Sequence, residues 1–187
     1  MPVYYDTLEE AGAMMGSVVL VVMDEDTCMI DVARYFMEFT AEESCGKCAP
    51  CRIGNIVIGQ ILDKISEGKA TKEDLKQLES VCDEVKRLSL CGLGKSSPNP
   101  VLTVLRYFMD ELEAHVHEGR CPAGVCKPLI SFSIDPDKCS GCTICARVCP
   151  VDCISGGRKE VHVIDQGPCT KCGSCRSVCK FDAVVVI

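Results

Sequence analysis

Ser44-Cys45-Gly46-Lys47-Cys48-Ala49-Pro50-Cys51-Arg52 is the stretch from which the chain can be read. Three thiols at C-x2-C-x2-C spacing can all point into one loop. Three soft ligands on a loop need only a fourth thiolate from elsewhere to hold an iron–sulfur cube. Cys91, in Leu90-Cys91-Gly92-Leu93-Gly94, is the obvious donor, and the glycines after it let the backbone bend close to a bulky group. A zinc knuckle would instead pair C-x2-C with a second pair or with histidines.

Helical patterns flank this loop. Met29, Val32, Ala33 and Phe36 recur at helical spacing and predict a helix over 29–41, with Ile30 and Met37 widening its apolar face. A second helix is expected over 51–66 through Ile58, Ile61, Leu62 and Ile65. Thr71-x-x-Asp74 has the form of a capping box opening a third, with Leu75, Leu78, Cys82 and Val85 as its stripe. Asn99 suits an N-cap and Pro100 the first position of a fourth, burying Val101, Leu105, Phe108 and Leu112 and then His115. The expectation is an antiparallel four-helix bundle over 29–118, with one [4Fe-4S] cluster at its end. A lead-in over 1–28 precedes it, in which Val18–Met23 reads as a buried strand.

Residues 119–129 are Pro/Gly-rich and read as a linker. Beyond them Cys139, Cys142, Cys145 and Cys149 recur as Cys169, Cys172, Cys175 and Cys179, every pair separated by the same interval. This is an internal duplication of C-x2-C-x2-C-x3-C, the bacterial ferredoxin run, in which the fourth cysteine ligates the other cluster. One set is therefore Cys139, Cys142, Cys145 and Cys179, and the other Cys169, Cys172, Cys175 and Cys149. Residues 130–187 are expected to form a 2[4Fe-4S] ferredoxin-like domain, making the whole chain α+β. Strands are expected at Ile130–Ile134, Val161–Ile164 and Ala183–Ile187.

Five of the 17 cysteines remain. Cys153 and Cys82 suit apolar packing. Cys121 and Cys126 flank a Pro-Ala-Gly turn, and with His115 they offer three zinc ligands, the fourth being Cys28 or Cys82. His117 and His162 read as surface positions. Composition narrows the class further. A net charge of −7 argues against a nucleic-acid or anionic-membrane surface. An odd cysteine count in C-x2-C runs is no secreted disulfide framework. With no signal peptide and no membrane span read in the sequence, a cytoplasmic protein is expected. Gly94-Lys95-Ser96 mimics the end of a phosphate loop, but Ser89 stands where its first glycine belongs.

Glu43-Ser44-Cys45-Gly46-Lys47-Cys48-x-Pro50-Cys51-Arg52, Cys91 and the helix after it resemble the C-terminal part of the flavin- and NADH-binding subunit of complex I. Cys91-Gly-Leu-Gly, Pro98-Asn99-Pro100-Val101-Leu102, Arg106-Tyr107-Phe108, Cys121-Pro122-Ala123 and the appended double motif are closer to the equivalent subunit of electron-bifurcating [FeFe]-hydrogenases. The resemblance implies an iron–sulfur electron-transfer subunit of a cytosolic multisubunit oxidoreductase, with three [4Fe-4S] clusters and one zinc. It favours Cys28 as the fourth zinc ligand, because the hydrogenase-type relatives usually carry a cysteine there. The flavin domain of those relatives is missing here, and Val18-Val19 stand where they usually have small residues. No FMN or NAD(H) binding by this chain alone is therefore expected. The implied partners are flavin/NAD(P)H-binding, hydrogenase or formate dehydrogenase subunits, or a soluble ferredoxin. A cluster- and zinc-stabilised scaffold without redox turnover is the alternative.

Overall fold

The computed structural model describes residues 5–10, 12 and 21–187. The chain divides into two compact units, Met1–Leu129 and Ile130–Ile187. In the first, α1 (Tyr5–Glu10) precedes three long helices: α2 (Met29–Glu42), α3 (Ala49–Ser66) and α4 (Lys72–Leu88). Short helices α5 (Gly92–Ser96), α6 (Asn99–Tyr107) and α7 (Met109–Glu113) follow, and α7 runs into a π-helical turn, Ala114–Glu118. The long helix α3 packs on both α2 and α4, and α6 packs on the same two. Ile30, Met37, Ile58, Leu62, Ile65, Leu78 and Val85 fill the centre with almost no exposure. Burying each such aliphatic side chain is worth on the order of 1.5–3 kcal/mol. Where α3 crosses α4 the chain uses Gly54; a Cβ there would overlap Val85 Cγ2.

The start of α4 is a capping box. Asp74 N–H donates to Thr71 Oγ1 (3.3 Å), and Thr71 N–H donates to Asp74 Oδ2 (2.8 Å). Lys64 Nζ lies 2.9 Å from the other Asp74 oxygen and holds this carboxyl down at about 2, with the Thr71 hydroxyl adding to the effect.

Several expectations are corrected. Val21, Val22 and Met23 are exposed and irregular rather than a buried strand, and Val18–Leu20 lie outside the described residues. β-branched composition supplies no neighbouring strand, and the described residues of this unit contain none. The expected fourth helix is not continuous. It breaks at Phe108 (φ −131°, ψ 36°), which is 38% exposed, and restarts so that Leu112 and His115 turn inward. Pro98, not Asn99, occupies the cap position, and no side chain caps this helix. Phe36 is 39% exposed, off the α2 core stripe of Met29, Ile30, Ala33 and Met37.

The second unit is built from very short elements: β1 (Phe132–Ile134), α8 (Ile144–Arg147), β2 (Ile154–Ser155), β3 (Val163–Ile164), α9 (Ser174–Ser177) and β4 (Val184–Val186). β1 pairs antiparallel with β4, Phe132 opposite Val186, and β2 with β3, Ile154 opposite Ile164. The interval that carries Cys139 to Cys169 also carries β1 onto β3 and β2 onto β4. Each pair therefore joins a strand of one copy to a strand of the other. Left-handed backbone recurs at the same interval, at Gly141 and Lys171, Thr143 and Gly173, Asp152 and Asp182.

Candidate metal centres

The first cysteine group sits where two chain segments meet. Cys48 occupies the N-cap position of α3, with Pro50 in the first turn and Cys51 buried one position later. Cys91 caps α5. A helix N-terminus favours anionic sulfur through its free N–H groups. The Leu90 N–H holds the Cys48 thiol below its ordinary range, which brings the Cys91 loop against the C-x2-C-x2-C loop. Gly94 approaches so closely that a Cβ would lie 3.1 Å from Cys51 Cβ. Cys45 and Cys91 are exposed.

Asn55 went unread in the sequence. It is buried one turn after Cys51, its Nδ2 lies 3.6 Å from Cys51 Sγ, and its Oδ1 accepts from Ser97 Oγ at 2.8 Å. Its signal was a polar side chain four residues after a cysteine on an apolar helix face. Such an amide orients the sulfur and supplies it with an N–H.

A second group draws on segments far apart in sequence. Cys28, His115, Cys121 and Cys126 are all buried, and their donor atoms lie within 4.8 Å of one another; no other three such residues among those described converge so closely. Cys28 Sγ is 3.5 Å from His115 Nε2 and 3.7 Å from Cys126 Sγ. A tetrahedral zinc, at about 2.3 Å from sulfur and about 2.0–2.1 Å from nitrogen, sets sulfur–nitrogen edges near 3.5 Å and sulfur–sulfur edges near 3.8 Å. His115 Nδ1 donates to the Glu111 carbonyl at 2.7 Å, so Nε2 faces the sulfurs with its lone pair in the neutral ring. Without a metal these groups share protons. Burial lowers His115, but the Cys121 and Cys28 sulfurs outweigh it and raise the ring to about 10. Cys121 is driven down, chiefly by Cys126. Cys82 does not belong to this group. It is buried in α4, where burial pushes its thiol up to about 12.

In the second unit two cavities are lined by cysteines. One takes Cys139, Cys142, Cys145 and Cys179, the other Cys149, Cys169, Cys172 and Cys175. The crossed strand pairs are the physical reason. Cys149 precedes β2, which pairs with β3, and β3 leads into Cys169; Cys179 precedes β4, which pairs with β1 ahead of Cys139. Cys145 and Cys175, on α8 and α9, are the buried members, and burial raises both thiols. Backbone N–H groups reach equivalent sulfurs: Cys153 to Cys149 and Ala183 to Cys179, both at 3.4 Å. Cys153 also lies in the second cavity, its Sγ 3.4 Å from Cys149 Sγ. His162 is not a surface residue; it is 1% exposed and lines the first cavity. His117 is exposed.

Comparison with known proteins agrees with this division. Residues 31–115 match the NADH-ubiquinone oxidoreductase-F iron-sulfur binding region, and residues 132–155 match a 4Fe-4S binding domain. The chain is 51% identical over 181 residues to the NADP-reducing hydrogenase subunit HndC of Solidesulfovibrio fructosivorans, a match covering 97% of this chain and 37% of that subunit. It is 37% identical over 122 residues to the F subunit of the NADH-quinone oxidoreductase of Mycobacterium tuberculosis (strain ATCC 25618 / H37Rv), covering 65% of this chain and 27% of the other. The crystal structure of an NAD+-reducing [NiFe]-hydrogenase in the H2-reduced state aligns with a TM-score of 0.50 at 36% identity, over 51% of this chain and 16% of that one. The chain thus spans 37% or less of the length of these relatives. Among the described residues no helix is long and apolar enough to cross a membrane.

Proposed function

We propose that this chain is the electron-transfer part of a multisubunit oxidoreductase, because residues 31–115 match the NADH-ubiquinone oxidoreductase-F iron-sulfur binding region and residues 132–155 match a 4Fe-4S binding domain. Three 4Fe-4S clusters are assigned: to Cys45, Cys48, Cys51 and Cys91; to Cys139, Cys142, Cys145 and Cys179; and to Cys149, Cys169, Cys172 and Cys175. Bound clusters supply one-electron chemistry. The chain's residues hold them in position and direct N–H groups at the sulfurs. The partner is a subunit carrying a nicotinamide site, as the names of the NAD(P)-linked relatives suggest, or another redox subunit of the same complex.

One zinc is assigned to Cys28, His115, Cys121 and Cys126, as a structural ion tying the start of α2 to the turn after α7. The donor spacing fits a closed four-ligand site with no open position for catalysis. The observation that carries the electron-transfer reading is the lining of the two duplicated cavities, each of which brings together four motif cysteines drawn from both copies, with Cys153 as a fifth cysteine in the second.

Anaerobically purified chain is expected to contain about 12 iron and 12 sulfide, by the count of three cubane clusters. Rapid reduction by a low-potential donor should bleach its visible absorption in part, with no cluster left oxidised. Eight iron, undiminished when Cys45 or Cys91 is changed to serine, would remove the helical unit's cluster. Full iron that no donor reduces would favour a scaffold role.

A further inference from the structure

The duplication pairs the lining of one cysteine cavity with that of the other; Ser140 against Thr170, Phe181 against Val151 and Val184 against Ile154 keep their chemical character, and two pairs do not. His162 in the first cavity stands where Phe132 lines the second, and Ala183 in the first stands where Cys153 lines the second. The histidine is the larger change, replacing a hydrocarbon ring by two nitrogens.

Its setting is built. The ring is 1% exposed. Nδ1 lies 3.1 Å from the Glu160 carbonyl, which can only accept, so Nδ1 carries a proton. Nε2 is buried and has no hydrogen-bond partner among the described residues. Gly156 (φ +147°) makes room for the ring: a Cβ there would lie 2.9 Å from His162 Cγ. Lys159 N–H donates to the Gly141 carbonyl at 3.0 Å, fastening the loop before His162 to the Cys139–Cys142 loop. An orphaned nitrogen in a cavity lined by four thiols costs free energy unless a cavity occupant meets it.

We propose that His162 donates a hydrogen bond from Nε2–H to a sulfur of the cluster held by Cys139, Cys142, Cys145 and Cys179, and so sets that cluster's reduction potential above that of its duplicate. This rests on the two-cluster reading of the second unit. The carbonyl beside Nδ1 and an anionic cluster beside Nε2 are both acceptors, so each ring nitrogen faces a group to which it can donate. A hydrogen bond to an anionic acceptor is roughly twice as strong as one between neutral groups. The backbone N–H bonds to Cys149 and Cys179 occur equally in both copies and cannot distinguish the sites. The thiol of Cys153 is a weak donor by comparison. Extra negative charge on reduction strengthens the His162 bond, so the reduced state gains more than the oxidised one.

The test uses the full chain, labelled with 15N-histidine, beside His162→Phe, which installs the residue of the other cavity, and His162→Gln, which keeps an uncharged N–H. Pulsed EPR of the reduced protein should show histidine 15N coupled to one cluster of the second unit, lost in His162→Phe. In a redox titration at fixed pH that cluster should become about tenfold harder to reduce in His162→Phe, a fall of 59 mV for one electron. The other clusters should keep their potentials, and His162→Gln should recover part of the shift. Full iron with no histidine coupling in the unsubstituted chain, or unchanged potentials in iron-complete variants, overturns the inference alone. A second unit that takes up no iron overturns the two-cluster reading and this inference with it.

Discussion

The two units solve the folding problem differently. Met1–Leu129 has three long helices whose shared interior is aliphatic, from Ile30 through Leu62 to Val85. Ile130–Ile187 has strands of two or three residues and helices of four. Its buried side chains include Cys145, Cys153, Cys175 and His162 beside a few aliphatics such as Ile154, Ile164 and Val184. At its size apolar burial alone is marginal, and metal binding is the usual substitute. The lesson is that one unit positions sulfur with a fold that exists for other reasons, while in the other the sulfur sites and the fold are a single object.

Iron removal should test this contrast most strongly. Chelation under reducing conditions should abolish hydrogen-exchange protection at Phe132–Ile134 and Val184–Val186 while α2, α3 and α4 keep theirs. Protection that survives in the second unit would erase the contrast.

The proposed zinc site would sharpen it, because a zinc there would give the helical unit a metal of its own. Cys28→Ser or Cys126→Ser should empty the site and loosen α7 and the turn after it. Structural zinc contributes roughly 10 kcal/mol or more of apparent binding energy. Cys82→Ser should keep the zinc. Elemental analysis decides: zinc lost from Cys82→Ser and retained in Cys28→Ser would reverse the ligand assignment.

Packing comes next. Gly54→Ala forces a methyl against Val85, a stiff β-branched neighbour, and should cost about 1–3 kcal/mol in denaturant melts of the helical unit. An unchanged midpoint would show the α3–α4 contact to be looser than drawn.

The smallest effect is expected at the α4 cap, where Thr71→Ala should cost about 1 kcal/mol. Asp74 lies at about 2 when folded, below the ordinary carboxylate value near 4. Its contribution is therefore present above pH ~4 and lost as the pH falls toward 2. Asp74→Asn should remove that acid-side loss; an identical acid profile in the variant would exclude the cap as its source.

What the sequence by itself determined is local. C-x2-C-x2-C, its repetition at a constant interval, the Thr71-x-x-Asp74 box and the apolar stripes of α2, α3 and α4 are short-range patterns, and chemistry at such spacing is readable because neighbouring residues share one turn or one loop. The tertiary structure decided what distance in sequence conceals. Cys28 and Cys126 are 98 positions apart, and their sulfurs meet only because α2 and the segment after α7 pack together. Asn55 turns its N–H toward Cys51 because the Ser97 hydroxyl, beyond the Cys91 loop, donates to its oxygen and fixes the amide. Phe108 breaks its helix although its spacing fits one. His162 reads as a surface residue in an alternating strand, yet it is buried, because the crossed pairing of the two copies closes the first cavity around it. Side-chain direction at such positions follows from long-range packing, which residue spacing does not encode.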